Sequence, residues 1–344
     1  QNGECGQVDN LAFGQPVVNL TWDDSAKKGW GTREYNYQYT VTLQHELRPG
    51  FGVSVGYFRT DWRNQTQRVN ILQGKDDYTQ FTFVTPNDPR LGEHAGKTLT
   101  LYDVNANVRS AVQTVLMSVE KMNELYGASG RKTDVYNGVD ISFNARLKEK
   151  GILAGGVSLG RQTTDNCYLN DFPNLSGSFT GFSASGSRTE EFCHTQAPLW
   201  DGGSQVKLQA VYPLPFSITA SGSYKNLPGT GISASYVATN AQIAPLLGRN
   251  LSSCAPTGPC NATTTINLIP GDTRYDQRLN QIDVKLSRTF RLGGSRRFQG
   301  SFGVYNLSNT PPSQANNNTF NAAWLRPTIL LGGRVFKFGT QIDF

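Results

Sequence analysis

The chain has 344 residues, a formal net charge of +6 and 37% hydrophobic residues, and it is rich in glycine (36), phenylalanine (18) and tyrosine (14). Its basic residues are scattered, which argues against a nucleic-acid-binding patch. No run of about 18 apolar residues occurs, so a transmembrane helix is excluded. Strands that cross a membrane as a barrel give a much weaker hydropathy signal, and composition does not exclude them.

Four predicted hairpins follow one another along the chain. In each, apolar and polar residues alternate on both sides of a short turn, which is the period-two pattern of β-strands. The hairpins cover residues 37–57, 135–159, 206–224 and 282–304, with turns near 48–50, 148–151, 213–215 and 292–295. They supply eight strands, and strand-like residues also occur in 78–84 and 100–117.

The chain ends on a further alternating strand with an aromatic carboxyl terminus. Its apolar side is predicted to carry Phe336, Phe338, Ile342 and Phe344. Its polar side is predicted to carry Lys337, Gln341 and Asp343. Such a strand suits a barrel that meets hydrocarbon outside and water inside, although strands of soluble sandwiches alternate as well.

Short and long connections alternate strictly along the chain. The long ones, near 64–130, 164–203, 237–263 and 308–326, are mostly polar. Outer-membrane barrels have short periplasmic turns and long extracellular loops, whereas a soluble sandwich has no reason to sort its loops by length. The sequence therefore predicts an all-β fold, an antiparallel transmembrane β-barrel, with residues 1–33 in an extracellular loop and residues 34–344 in strands and long loops.

The predicted strand number is odd. Four hairpins and the last strand make about nine strands, whereas bacterial single-chain barrels normally have an even number. We therefore expect a partial barrel of nine or more strands that belongs to a larger one, with a segment missing upstream. No signal peptide is visible at Gln1.

Four of the five cysteines form two predicted pairs. Cys254 and Cys260 flank a tight loop, and Cys167 and Cys193 bracket a polar loop rich in serine and glycine. Disulfides at both places would indicate an oxidising compartment. Cys5 is left unpaired and suggests a partner outside this chain, with a free thiol as the alternative. Zinc is not expected, because no CxxC motif occurs and the three histidines are dispersed.

No motif of a known catalytic class is present. The chain has no nucleophile elbow, Walker loop, HExxH or EF-hand pattern, so we expect no enzyme, no catalytic residue, no metal and no cofactor. Four polar residues of one strand are predicted to face the barrel lumen, where most such residues only stay hydrated: Gln281, Asp283, Lys285 and Ser287. Six aromatic residues are candidates for interface girdles, with ordinary packing as the alternative: Tyr35, Tyr37, Tyr57, Phe58, Tyr224 and Trp324.

Eight short stretches, taken in order, carry a family resemblance. They are WGTREYN (30–36), QHEL (44–47), VGYF (55–58), YNGVD (136–140), YVATNA (236–241), RLNQID (278–283), VYNL (304–307) and the closing Phe344. Together they resemble the C-terminal barrel of TonB-dependent outer-membrane receptors, and within these the acidobacterial-type branch that has an N-terminal carboxypeptidase-regulatory-like domain.

The resemblance implies a barrel of about 22 strands with an internal plug. This sequence shows no plug or TonB-box segment and would supply less than half of the barrel wall. The family implies a bacterial outer-membrane location and import of a scarce ligand, driven by an inner-membrane energising complex through the missing upstream segments. Its implied partners are outer-membrane lipid and the barrel-assembly machinery, not nucleic acid. The alternatives are a self-contained porin or adhesin-like barrel, and a secreted β-rich binding or hydrolytic protein.

Overall fold

The computed structural model describes residues 20–175, 187–294 and 296–344, so Cys5 and most of the predicted loop 1–33 lie outside the described residues. The strands in this part of the chain are β1 (Thr21–Trp22), β2 (Tyr35–Arg48), β3 (Phe51–Arg63), β4 (Thr66–Asn70), β5 (Tyr78–Val84), β6 (Thr98–Val104), β7 (Thr114–Ser118), β8 (Thr133–Arg146), β9 (Ile152–Asp165), β10 (His194–Gln196), β11 (Ser204–Leu214), β12 (Ile218–Leu227), β13 (Ser235–Thr239), β14 (Thr263–Asn267), β15 (Leu279–Gly293), β16 (Arg296–Tyr305), β17 (Ser313–Asn316), β18 (Pro327–Leu330) and β19 (Val335–Asp343). The α-helices are α1 (Asp24–Lys27), α2 (Val119–Tyr126), α3 (Glu190–Cys193) and α4 (Asn240–Leu247).

One antiparallel sheet of ten strands dominates the fold. Nine of its strands follow the path β2-β3-β8-β9-β11-β12-β15-β16-β19, and β10 pairs with β9. Each neighbouring pair on the path is antiparallel. These nine strands, here called the wall, are the four predicted hairpins and the predicted last strand, so the all-β antiparallel prediction and its count of nine are confirmed.

Local chemistry explains why two of the hairpins turn where they do. Between β2 and β3, Pro49 supplies the fixed φ of the first turn position, and Gly50 takes the positive φ of +82° that the second position of a type II turn requires. Between β11 and β12, Phe216 and Ser217 both have positive φ, as in the tight turns that match the twist of a hairpin. Both turns join the strands within a few residues.

The strands of the wall are staggered. A single row of register partners crosses all nine strands through Arg48, Phe51, Ala145, Leu153, Ala210, Gly222, Val284, Val304 and Phe336. On β2 this row lies at the short turn itself, whereas on β19 the chain runs on toward the same end from 336 to 344, which is eight residues. Eight residues of about 3.3 Å against eight interstrand steps of about 4.8 Å give a strand tilt of roughly 35°. A sheared sheet of this tilt is a section of barrel wall.

The long connections lie at the end of the wall opposite the short turns, and they pack against one another. Their described residues are 64–132, 166–175, 187–203, 228–278 and 306–334, and they carry the small sheets β4-β7 (which β1 extends), β5-β6, β13-β14 and β17-β18. We call these folded connections the cap. The strand-like segments 78–84 and 100–117 lie here, in β5, β6 and β7.

The cap contains two buried hydrophobic cores that the sequence analysis did not predict. The larger one joins three of the connections through Phe81, Leu91, Leu101, Ile243, Ile266, Leu268 and Trp324. The smaller one joins β4, β7 and α2 to the connection after β9 through Val69, Met117, Met122, Leu169 and Leu175. The long connections, which the sequence predicted to be polar loops, therefore pack around hydrophobic cores of their own.

Candidate functional site

One face of the wall is apolar along successive rows of register partners. Two of these rows are Leu43–Val55–Ile141–Val157–Val206 and Tyr212–Ala220–Leu286–Phe302–Phe338. In the described part of the chain several side chains of this face are largely exposed: Phe338 is 78% exposed, and Val41 and Leu43 are each 70% exposed. A contiguous apolar surface of this kind marks an interaction face.

Aromatic rings cluster on this face near the end of the chain. The ring of Phe302 lies 6.1 Å from that of Phe336 in a stacked arrangement and 5.0 Å from that of Phe338. Phe290 and Phe298 pair closer to the short turn, with ring centroids 5.9 Å apart. The register places Phe336, Phe338 and Ile342 on this face, as the alternation predicted, and the terminal Phe344 is exposed just beyond them.

The six predicted girdle aromatics divide into two groups. Four share the apolar face: Tyr35, Tyr37, Tyr57 and Tyr224. Phe58 points the other way, because its register partners Thr40 and Gly138 lie on the polar face. Trp324 belongs to the cap, where it is buried and its indole Nε1–H donates to the carbonyl oxygen of Ser233 at 2.8 Å. The girdle prediction was therefore wrong for Phe58 and Trp324.

The predicted lumen residues lie together on the opposite, polar face of β15. On β12, Lys225 is the register partner of Gln281, and Ser223 is that of Asp283. Ser221 pairs with Lys285, and Thr219 pairs with Ser287. The carboxylate of Asp283 accepts hydrogen bonds from the Gln281 amide at 2.9 Å and from the Asn306 backbone N–H at 2.8 Å. Asp283 thus anchors the end of β16, a structural role that the alternation could not reveal. A lumenal role for the four residues stays a prediction.

A groove of about 500 Å³ lies over the polar face of β8, β9, β11 and β12. Small residues form its floor: Ser142, Ala154, Gly156 and Ser158. A Cβ atom on Gly156 would lie 2.5 Å from the Ile141 carbonyl oxygen, so the close approach of β8 and β9 requires glycine there. Lys207 and Lys225 are direct register partners at the edge of the groove, and Asp140 lies on its other side. The groove therefore presents hydroxyl and ammonium donors together with one carboxylate acceptor.

This groove could not be predicted from the sequence. Its residues alternate correctly along each strand, but the floor exists only because β9 pairs with both β8 and β11. Strand pairing between segments separated by a long connection leaves no local signal in the sequence.

A buried ion pair joins two connections of the cap. The Asp103 carboxylate, 2% exposed, accepts from the Arg249 guanidinium at 2.7 Å and from both the backbone N–H and the hydroxyl of Ser252 at 3.0 Å. Arg249 also donates to the Val104 carbonyl oxygen at 3.1 Å. Both charges are compensated by hydrogen bonds, as buried charges must be.

Both predicted disulfides form, and both lie in the cap. Cys167 and Cys193 tie the start of one connection to the end of α3, with Cα atoms 4.8 Å apart. Cys254 and Cys260 close the loop after α4, with Cα atoms 5.8 Å apart. Two disulfides are typical of a protein that folds in an oxidising compartment.

The described residues show neither a metal site nor a spanning helix. No group of three or more His, Cys, Asp or Glu side chains lies close enough to hold a metal ion in residues 20–175, 187–294 and 296–344. In the same ranges, no helix has the length and apolar character needed to cross a membrane.

Comparison with solved structures gives distant likenesses to outer-membrane proteins. No family model matches the chain, and no curated protein matches it. The outer membrane transporter YddB from Escherichia coli is similar over 89% of this chain and 32% of its own length, with 9% sequence identity and a TM-score of 0.42. A FadL homologue from Pseudomonas aeruginosa is similar over 90% of this chain and 66% of its own, with 8% identity and a TM-score of 0.19. This chain thus spans about a third of the first protein, and both likenesses are too distant to assign a function.

Proposed function

We propose that the wall lies in the bacterial outer membrane as part of the barrel of a transport protein. The observation that carries this proposal is the exposed apolar face of the wall, with a polar face behind it and no second protein layer over either face in the described residues. Burial of such a surface is worth about 25 cal/mol per Å² of apolar area. Lipid tails supply that burial on one face while water wets the other.

Backbone geometry supports the same placement. A strand inside a bilayer must pair all of its N–H and C=O groups, and tilted antiparallel strands in a barrel achieve this. The inner strands of the wall are paired on both sides, and β2 and β19 at its ends are paired on one side each, as in a section of a larger barrel. Their tilt of roughly 35° lies at the lower end of the range for outer-membrane barrels. The cap then lies on the long-loop side, which is the cell exterior in such proteins.

The polar face of the wall supports the proposed transport role. The groove edged by Lys207 and Lys225 opens on the water side of the wall, where a solute path would run. The eight family-like stretches support a more specific role, the barrel portion of a TonB-dependent receptor that imports a scarce ligand without enzymatic chemistry. Such a receptor would draw energy from an inner-membrane complex through segments outside this chain, and the barrel-assembly machinery would insert it.

Depth-dependent quenching tests the membrane placement. Phe302 and Ser301 are neighbours on β16 but lie on opposite faces. In vesicles with lipids brominated along their acyl chains, we expect strong quenching of a tryptophan at Phe302→Trp and little at Ser301→Trp. Equal quenching at the two positions, or a chain that stays monomeric in buffer without detergent, would contradict the proposal and favour a secreted β-rich binding protein.

Energy dependence separates the receptor from the alternative, a self-contained porin or adhesin-like barrel. In cells that express the full-length protein, uptake by an energised receptor stops when a protonophore collapses the proton gradient across the inner membrane. Diffusion through a porin continues under the same treatment. Uptake that persists under the protonophore would contradict the TonB-dependent role but not the placement of the wall in the membrane.

A further inference from the structure

Two arginines interrupt the apolar face of the wall at its short-turn end. Arg48 is the last residue of β2 and the register partner of Phe51, in the row that continues to Phe336. Arg288 on β15 is the register partner of Ile218. Both side chains are exposed. Near the short turns their neighbours on this face include Phe51 and Phe290, whereas other charged residues of the same face, such as Arg59 and Arg161, lie toward the long connections.

Each of these arginines is paired with a phenylalanine on the same face. The Arg48 guanidinium carbon lies 5.7 Å from the ring centroid of Phe51, and that of Arg288 lies 4.7 Å from the ring centroid of Phe290. A guanidinium over a ring is held by cation–π attraction while its N–H groups stay free to donate.

No acidic side chain satisfies these two arginines in the described part of the chain, since neither takes part in an ion pair there. Glu46, the acid nearest to Arg48 in sequence, lies on the polar face with Gly52 and accepts from the Gly50 backbone N–H at 2.7 Å. Both guanidinium groups therefore have donors to spare for an anion outside the chain.

The stagger of the wall brings both arginines to the same edge. Arg48 directly precedes the first short turn, and Arg288 lies three residues before Arg291, where β15 reaches its bulge at the last short turn. In a tilted wall the short turns lie in one plane at the membrane surface. At that depth a long arginine stem covers hydrocarbon while its charged head reaches the headgroup layer.

We propose that Arg48 and Arg288 bind the phosphates of membrane phospholipids at the short-turn rim, with Phe51 and Phe290 orienting the two guanidinium groups. This inference rests on the proposed membrane placement and adds a lipid-binding rim to it. A guanidinium matches a phosphate with two parallel hydrogen bonds. Because the site offers positive charge alone, it favours phosphatidylglycerol, which has a net negative charge, over zwitterionic phosphatidylcholine.

Native mass spectrometry of the full chain from mixed phosphatidylglycerol–phosphatidylcholine nanodiscs tests the proposal by counting retained lipids. We expect each of Arg48→Gln and Arg288→Gln to weaken phosphatidylglycerol retention by about fivefold. Arg297→Gln is the matched control, because Arg297 lies at the same end of the wall on the polar face, opposite Arg291 and Asp343. This control should retain phosphatidylglycerol like the unsubstituted chain.

Each other outcome overturns the proposal in a recognisable way. An equal loss in Arg297→Gln would mean general charge attraction, and full retention in Arg48→Gln and Arg288→Gln would mean that the pairs bind no lipid. Glycerol phosphate that competes in detergent without a bilayer would identify a soluble phosphate as the ligand. A chain that enters no nanodisc of either composition would remove the membrane placement itself, and this inference with it.

Discussion

The wall and the cap place their apolar residues in opposite ways. In the wall, residues such as Leu286 and Phe338 point outward and are exposed, and no core lies behind them in the described residues. In the cap, Leu101 and Ile266 are fully buried in a core that several connections build together. One chain thus contains a surface suited to lipid and a body folded as proteins fold in water.

Polar groups show the same contrast. Charged side chains of the wall, such as Lys207 on the polar face and Arg288 on the apolar face, are exposed. The cap buries the Asp103 carboxylate and must satisfy it with Arg249 and Ser252. The stability of the wall therefore depends on the solvent that meets each of its faces, whereas the stability of the cap depends on contacts among its own residues. Substitutions in the two regions should affect stability in different ways.

The largest expected effect is in the cap. Asp103→Ala leaves the Arg249 guanidinium buried without its carboxylate, and breaking such a pair typically costs about 3–5 kcal/mol. We expect the cap to lose protection in hydrogen exchange while the wall strands keep theirs. Glu124→Ala, which removes an exposed pair with Lys121 on α2, is the control and should leave exchange in the cap core unchanged. Uniform loss across wall and cap after Asp103→Ala would show that the two regions do not fold separately.

A somewhat smaller effect is expected in the wall. Leu286→Lys places a charge in the middle of the apolar face, which costs about 2–4 kcal/mol at the midplane of a bilayer. Ser287→Lys, one residue along on the polar face, should cost little. Denaturant unfolding of vesicle-inserted protein measures both. Equal losses for the two variants would mean that the faces of β15 do not meet different solvents.

The sequence predicted the wall well and the cap poorly, for a physical reason. Period-two alternation is a local property, so the face of each strand could be assigned from residues such as Phe336 and Phe338 alone. The larger core of the cap brings together Phe81, Ile243 and Trp324, which span more than two hundred positions of the sequence. No local sequence pattern predicts contacts over such a separation. The stagger of the strands likewise depends on interstrand register, which no single strand shows. The assignment of Trp324 to a membrane girdle was wrong because its burial depends on residues distant in sequence.

The smallest effect that we predict is an alkaline weakening of the cap. Burial in the cap raises the pKa of Tyr78 from 10.0 to about 12, and its hydroxyl donates to the Gln73 amide oxygen at 2.8 Å. Between pH 10 and 12 the unfolded chain therefore binds fewer protons than the folded one, so the free energy of unfolding of the cap falls as pH rises through this window and is unaffected below it.

Tyr78→Phe should make this fall shallower, and hydrogen exchange of the cap core at stepped pH measures it. Tyr168 in the smaller core has a pKa raised by burial to about 12 as well, so part of the slope should persist until Tyr168→Phe is added. An unaltered slope in the double variant would show that the alkaline sensitivity of the cap does not come from these two half-buried tyrosines.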